Sequence, residues 1–204
     1  MLKKTSLIIV MLTILSLTLT LNTAHAQTAT IQIYPPTRIV GQGTTFTINI
    51  TVTDVTDLAV WEINLYYLNN ILDCVSITEG PFLKTGGSTF LAYIISNAYN
   101  ATHGRILTGC TLIGQVPGVS GSGTLATITF QAKNLGTTPL HLTNTDLRDS
   151  SAPPRNPIPH TTTDGTITVV LGNPCLWIHK QGGRVYPEWH NRSIGTTQTL
   201  YAKI

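Results

Sequence analysis

Three carboxylates lie close together early in the chain, Asp54, Asp57 and Glu62. Two carboxyl groups held about 5 to 9 Å apart would suit glycoside hydrolysis, one as acid and the other as nucleophile or base. The residues around them favour a plainer role. Asp54 and Asp57 bracket Val55-Thr56, the spacing of a tight turn in which Asp bonds its own backbone, and Glu62 alternates with apolar residues as on a solvated strand face. The same oxygens, with Asp73 or Asp149, could instead hold calcium, but the Asp-x-Asp-x-Asp-Gly spacing of an EF-hand loop is missing. Ser120, in Gly118-Val119-Ser120-Gly121-Ser122-Gly123, is a near miss to a nucleophile elbow; its Gly- and Ser-rich surroundings read as a connector without the strand-turn-helix context. The six His are scattered and read as loop or exposed residues, with no His-x-x-x-His pair for zinc. No catalytic cluster and no cofactor other than such a calcium ion is expected.

The elements that would position these residues are strands. Only 10% of the residues are charged, and 35 Thr take their place; Thr is β-branched, suits strands and is disfavoured inside helices. Lys3 and Lys4 precede an apolar run from Leu7 to Leu21 and then Ala24-His25-Ala26, the pattern of a cleaved secretory leader over residues 1–26. The run is short for a membrane span of about 20 apolar residues. Membrane attachment would therefore require an uncleaved leader or an anchor beyond the given C-terminus. Removal of Lys3 and Lys4 leaves a nearly neutral chain without a basic cluster, which argues against nucleic-acid binding.

Export changes the reading of the cysteines. Cys74 and Cys110 fall in strand-like segments and would form a disulfide if those strands are neighbours, or else serve as small buried hydrophobes; Cys175 is the odd one.

Period-two alternation runs through the remainder. Phe46, Ile48, Ile50 and Val52 share one strand face opposite Thr47, Asn49, Thr51 and Thr53, and Trp61, Ile63, Leu65 and Tyr67 share another opposite Glu62, Asn64 and Tyr66. Trp61 and Tyr67 are therefore core residues, whereas Tyr66 is a candidate for exposure and Tyr93 and Tyr99 are unassigned. About nine strands are predicted, with the Pro-rich stretch Asp146 to His160 as a long loop. The expected fold is an all-β, antiparallel two-sheet sandwich over residues 27–171, with the long connector after His141 as a crossover between the sheets. Residues 172–204 read as a linker and the interrupted start of a second β module, as in a gene fragment or the first part of a longer protein. Asn49, Asn100 and Asn191 each head an Asn-x-Ser/Thr sequon.

The order of these landmarks resembles cohesin domains. The resemblance rests on Gly43-Thr44-Thr45-Phe46-Thr47-Ile48-Asn49-Ile50, Val55 through Tyr67, Gly123 through Phe130, Leu140-His141-Leu142, Asp146-Leu147-Arg148-Asp149 and Asp164 through Val169, covering about Thr28 to Leu171. It implies a nine-stranded jelly roll, shared with some carbohydrate-binding modules, that binds dockerin modules and so assembles polysaccharide-degrading enzymes on scaffolds or cell surfaces. It points to the strands Leu58–Tyr67 and Ile71–Ile77, with Gly114–Gly123 nearby, as the docking face, and hence to Glu62, Asn64, Tyr66, Asp73, Gly118 and Ser120. The expected function is a secreted, non-enzymatic module for a dockerin-type partner. The alternatives are a carbohydrate-binding module for a polysaccharide, or a structural repeat of a surface layer or adhesin.

Overall fold

The computed structural model describes residues 28–172 and, beyond them, strands 175–181 and 184–190. The leader, Asn191 and the segment 196–204 lie outside the described residues.

The strands are β1 (Ala29–Tyr34), β2 (Thr37–Gly41), β3 (Thr45–Leu58), β4 (Val60–Leu68), β5 (Leu72–Glu79), β6 (Thr89–Ser96), β7 (His103–Leu112), β8 (Val119–Ala132), β9 (Gly136–Arg148), β10 (His160–Thr163) and β11 (Gly165–Val170). A 3-10 helix, Leu83–Gly86, lies between β5 and β6. Two sheets result, a five-stranded one in the order β10-β1-β3-β8-β5 and a six-stranded one in the order β2-β11-β9-β4-β7-β6. β12 (Cys175–Gln181) and β13 (Arg184–His190) form a separate antiparallel pair.

The sandwich agrees with the expectation, with two differences. First, β2 and β10 are additional strands, and they exist because the chain changes sheet at both ends. Pro35-Pro36 ends β1 in one sheet before β2 begins in the other, and Asp164 separates β10 from β11 in the same way. As a result β1 with β10 and β2 with β11 are parallel pairs in an otherwise antiparallel fold. Second, the latter half of the Gly114–Gly123 connector is strand, because β8 already begins at Val119 and pairs with the distal part of β3.

The inward faces follow the alternation. Ile48, Ile50 and Val52 of β3, Trp61, Ile63, Leu65 and Tyr67 of β4, and Ile128 and Phe130 of β8 are fully buried between the sheets. Removing such side chains from water is worth roughly 1.5 to 3 kcal/mol each, which holds the layers together. Tyr67 packs edge-to-face on Phe130, with ring centroids 5.1 Å apart. On β7 it faces Gly104, where a Cβ would lie 2.4 Å from the tyrosine ring, so only glycine fits.

Asn97, in the turn after β6, ties the two sheets together. Its Oδ1 accepts from the buried Tyr67 hydroxyl and from the Cys74 N–H, and its Nδ2 donates to the Cys74 carbonyl at 3.1 Å. One amide thus reproduces a strand's pairing with β5 while satisfying a phenol that would otherwise be stranded in the core.

Candidate functional site

Asp54 and Asp57 do not form a turn. Both adopt left-handed φ, 53° and 58°, at breaks in the pairing of β3 with β8. The backbone N–H groups released by these bulges donate to the Ser122 and Ser120 hydroxyls, each at 2.9 Å. Ser120 is therefore occupied in supporting a bulge, and Asp57 faces outward to the loops rather than to its own backbone. The Asp57 carboxylate accepts from the Gly118 N–H at 2.8 Å and from the Ser150 hydroxyl at 2.8 Å. The Ser150 hydroxyl, ahead of the backbone N–H groups, holds the Asp57 carboxyl below its ordinary range against a smaller desolvation cost. Asp149 closes the same loop, accepting from Ser151 and Asn156, which bring its carboxyl down to about 2.

These oxygens are committed to loop donors. Asp73 lies on β5 in the five-stranded sheet and pairs with Lys133 at 3.1 Å, so it does not join Asp57 and Asp149. Among the described residues no group of three or more His, Cys, Asp or Glu could hold a metal ion.

Cys74 and Cys110 are free thiols on different sheets, Cys74 on β5 and Cys110 on β7, which corrects the expected bridge: the two strands are not neighbours. Burial pushes both thiols up to about 12, and for Cys110 the nearby Glu79 charge adds to this. Of the histidines expected to be exposed or in loops, His141 is exposed on β9 beside Asp164, whereas His103 on β7 and His160 at the start of β10 are half-buried in strands.

The six residues expected to meet a partner do not converge. Glu62, Asn64 and Tyr66 share the outward face of β4, although Asn64 is only 7% exposed in the middle of the sheet. Asp73, Gly118 and Ser120 lie elsewhere, bound to Lys133 or around Asp57. The strands Leu58–Tyr67 and Ile71–Ile77, expected together on one face, correspond to β4 and β5 and lie in different sheets, because the chain crosses between the sheets at Asn69-Asn70.

The outward face of β9-β4-β7-β6 is ordered in rows across the strands. Phe90, Thr111, Val60 and Arg148 form one row; Ala92, Gly109, Glu62 and Asp146 the next; Ile94, Leu107, Asn64 and Thr143 the third; Ser96, Arg105, Tyr66 and His141 the last. Apolar side chains collect towards β6, where Phe90 is 63% and Ile94 58% exposed. At Gly109 a Cβ would meet the Trp61 carbonyl at 2.8 Å; without it the sheet has a shallow depression walled by Phe90, Ile94, Leu107 and Glu62. Charge collects towards β9, where Arg148 Nε donates to Asp146 at 2.6 Å. At the end of the face Arg105 stacks on Tyr99 at 4.3 Å, and Tyr99 meets Tyr66 edge-on at an interplanar angle of 70°. Exposed apolar side chains lying beside a charged flank are a composition suited to a protein interface.

The cohesin domain family model matches residues 29–169. The chain belongs to the cohesin family. Solved structures agree in fold. A non-cellulosomal cohesin from the hyperthermophilic archaeon Archaeoglobus fulgidus is 18% identical, with a TM-score of 0.56, and the match covers 70% of this chain and 91% of that one. The seventh ScaB type I cohesin from Pseudobacteroides cellulosolvens is 17% identical with a TM-score of 0.57, covering 74% and 98%. A chain of a type I cohesin–dockerin complex from Clostridium thermocellum is 12% identical with a TM-score of 0.57, covering 70% and 99%. Among curated proteins none matches.

What sequence reasoning missed in this cohesin is the contribution of β6, β7 and β9. The available signal was Thr89–Ser96, which is uncharged and apolar on both faces: a strand of that kind is either central in a sheet or part of an interface.

Proposed function

We propose that this cohesin is a non-catalytic, exported module that binds a dockerin-type protein on the outward face of β9-β4-β7-β6. The row pattern carries the reading, with exposed Phe90 and Ile94 beside the Gly109 depression as its apolar flank and Glu62, Asp146, Arg148 and Arg105 as its charged groups. Family membership and the fold shared with a cohesin–dockerin complex support it. The leader pattern before Gln27 supports export, with the partner assembled outside the cell in polysaccharide-degrading complexes. Asn49 is compatible with this arrangement: it lies on β3 of the other sheet, its Oδ1 accepting from Thr127, so a glycan there would leave the docking face open. Asn100 is an exposed acceptor in the turn before β7. The aromatics give the polysaccharide reading no support, because Tyr66 and Tyr99 are nearly perpendicular and Tyr93 stands apart at the β6 edge.

The test is calorimetric titration of the full chain with dockerin modules from the same source, in calcium-containing buffer. Phe90→Ala is expected to cost about 2 kcal/mol, roughly 30-fold in affinity, as a large apolar anchor buried by the partner does. Asp73→Ala, on the opposite sheet, should change nothing. Absence of binding to every such dockerin, or equal loss from both substitutions, would overturn the proposal.

A further inference from the structure

A sheet edge presents a row of N–H and C=O groups ready to pair with another strand, and proteins usually blunt it with charge, proline, bulges or shortness. The sandwich has four edges. β10 has four residues and β2 has five, the latter following Pro35-Pro36 and carrying Arg38. β5 carries Asp73 and Glu79, with a register break between Cys74 and Ser76. β6 has none of these devices. Its eight residues, Thr-Phe-Leu-Ala-Tyr-Ile-Ile-Ser, contain no charge, proline or glycine, and its ladder to β7 is unbroken from Thr89↔Leu112 to Ser96↔Arg105. Phe90, Tyr93 and Ile94 are each more than half exposed there.

We propose that two copies of this chain pair through β6, antiparallel, joining their six-stranded sheets into one continuous sheet. An added strand pairs an open sheet edge along its whole length, and β6 carries no charge that would oppose an identical strand lying against it. The strand is also self-complementary, as a twofold interface requires. A twofold axis perpendicular to the sheet sets outward side chains opposite outward side chains. With the axis at Ala92, Phe90 of one copy faces Ile94 of the other on both sides of a central Ala92 pair, and Leu91 faces Tyr93 on the inner side. The two large residues thus meet each other and the small one meets itself. The contact is one strand wide, so it belongs to the weak, concentration-dependent class of interfaces. It shares Phe90 and Ile94 with the dockerin reading, but it is measured without a dockerin, so the two can fail separately.

Sedimentation equilibrium of the full chain tests it. The wild-type mass should rise from one chain to two with concentration, towards 1 mM at about the upper limit of the weak range. Ala92→Lys and Ala92→Glu each set like charges face to face at the axis and should raise the dissociation constant about tenfold, while an equal mixture of the two variants should recover the dimer. Circular dichroism checks that each variant is folded, and Ile94→Lys, on the same outward face, gives the same reading should Ala92→Lys misfold. A single-chain mass at every concentration, undiminished association of Ala92→Lys and Ile94→Lys, or no recovery in the mixture would overturn the pairing at Ala92.

Discussion

Replacing Asn97 by Ala removes the amide that bridges the sheets. Three hydrogen bonds go at once: the one it accepts from the Tyr67 hydroxyl, the one it accepts from the Cys74 N–H at 2.8 Å, and the one it donates to the Cys74 carbonyl. A net hydrogen bond is worth about 1 kcal/mol, but a buried donor left without a partner costs about 1 to 3 kcal/mol. Tyr67 has no exposed surface and Cys74 is 4% exposed, so the larger figure applies to the phenol and in part to the N–H. The sum is about 3 to 5 kcal/mol, a large share of the roughly 5 to 15 kcal/mol that holds a domain folded. Equilibrium urea unfolding of Asn97→Ala, Tyr67→Phe and the double variant measures it. Because Phe at 67 has no hydroxyl to strand, the double variant should be more stable than the sum of the two losses predicts, by at least about 1 kcal/mol. A loss below about 1 kcal/mol in Asn97→Ala, or strict additivity, would refute the bridging role.

Two further predictions concern titration. The carboxyls of Asp57 and Asp149 lie below their ordinary range in the folded chain, so their contribution is complete above the unfolded value near 3.8 and is lost as pH falls below it, for Asp149 through about 2. Amide exchange in the loop 149–157 should therefore accelerate over that window before the core strands open; uniform acceleration throughout the sandwich would count against it. With their thiols pushed up to about 12, Cys74 and Cys110 should not react with a thiol-exchange reagent at pH 8 in the folded chain and should both react in urea. Fast reaction at either position in the native state would contradict their burial.

The sandwich was legible because its signal is local. Each long strand carries its alternation within the strand itself, so Trp61 and Tyr67 could be assigned to the core and the pairing of β3 with β8 follows the same pattern. The outward face of the six-stranded sheet was half legible: the alternation of β4 alone sets Glu62, Asn64 and Tyr66 opposite its core residues. Its other rows depend on which strands become neighbours, and that is decided by crossings such as Asn69-Asn70 whose local sequence is the same for a hairpin and for a change of sheet. The cysteine expectation failed for the same reason. Ser120 was misread from the opposite direction, since Gly and Ser residues that suggest a loose connector here accommodate the bulges of β3 at Asp54 and Asp57.

The central claim is that a dockerin-type partner docks on the outward face of the six-stranded sheet. Titrating a cognate dockerin into the isotopically labelled chain and following amide shifts residue by residue tests it most directly. The account predicts perturbations clustered at Phe90, Ile94, Leu107, Gly109, Glu62 and Asp146, with Thr47, Thr129 and Asp73 on the other sheet unmoved. Shifts centred on the five-stranded sheet, or no shifts at saturating partner, would contradict it.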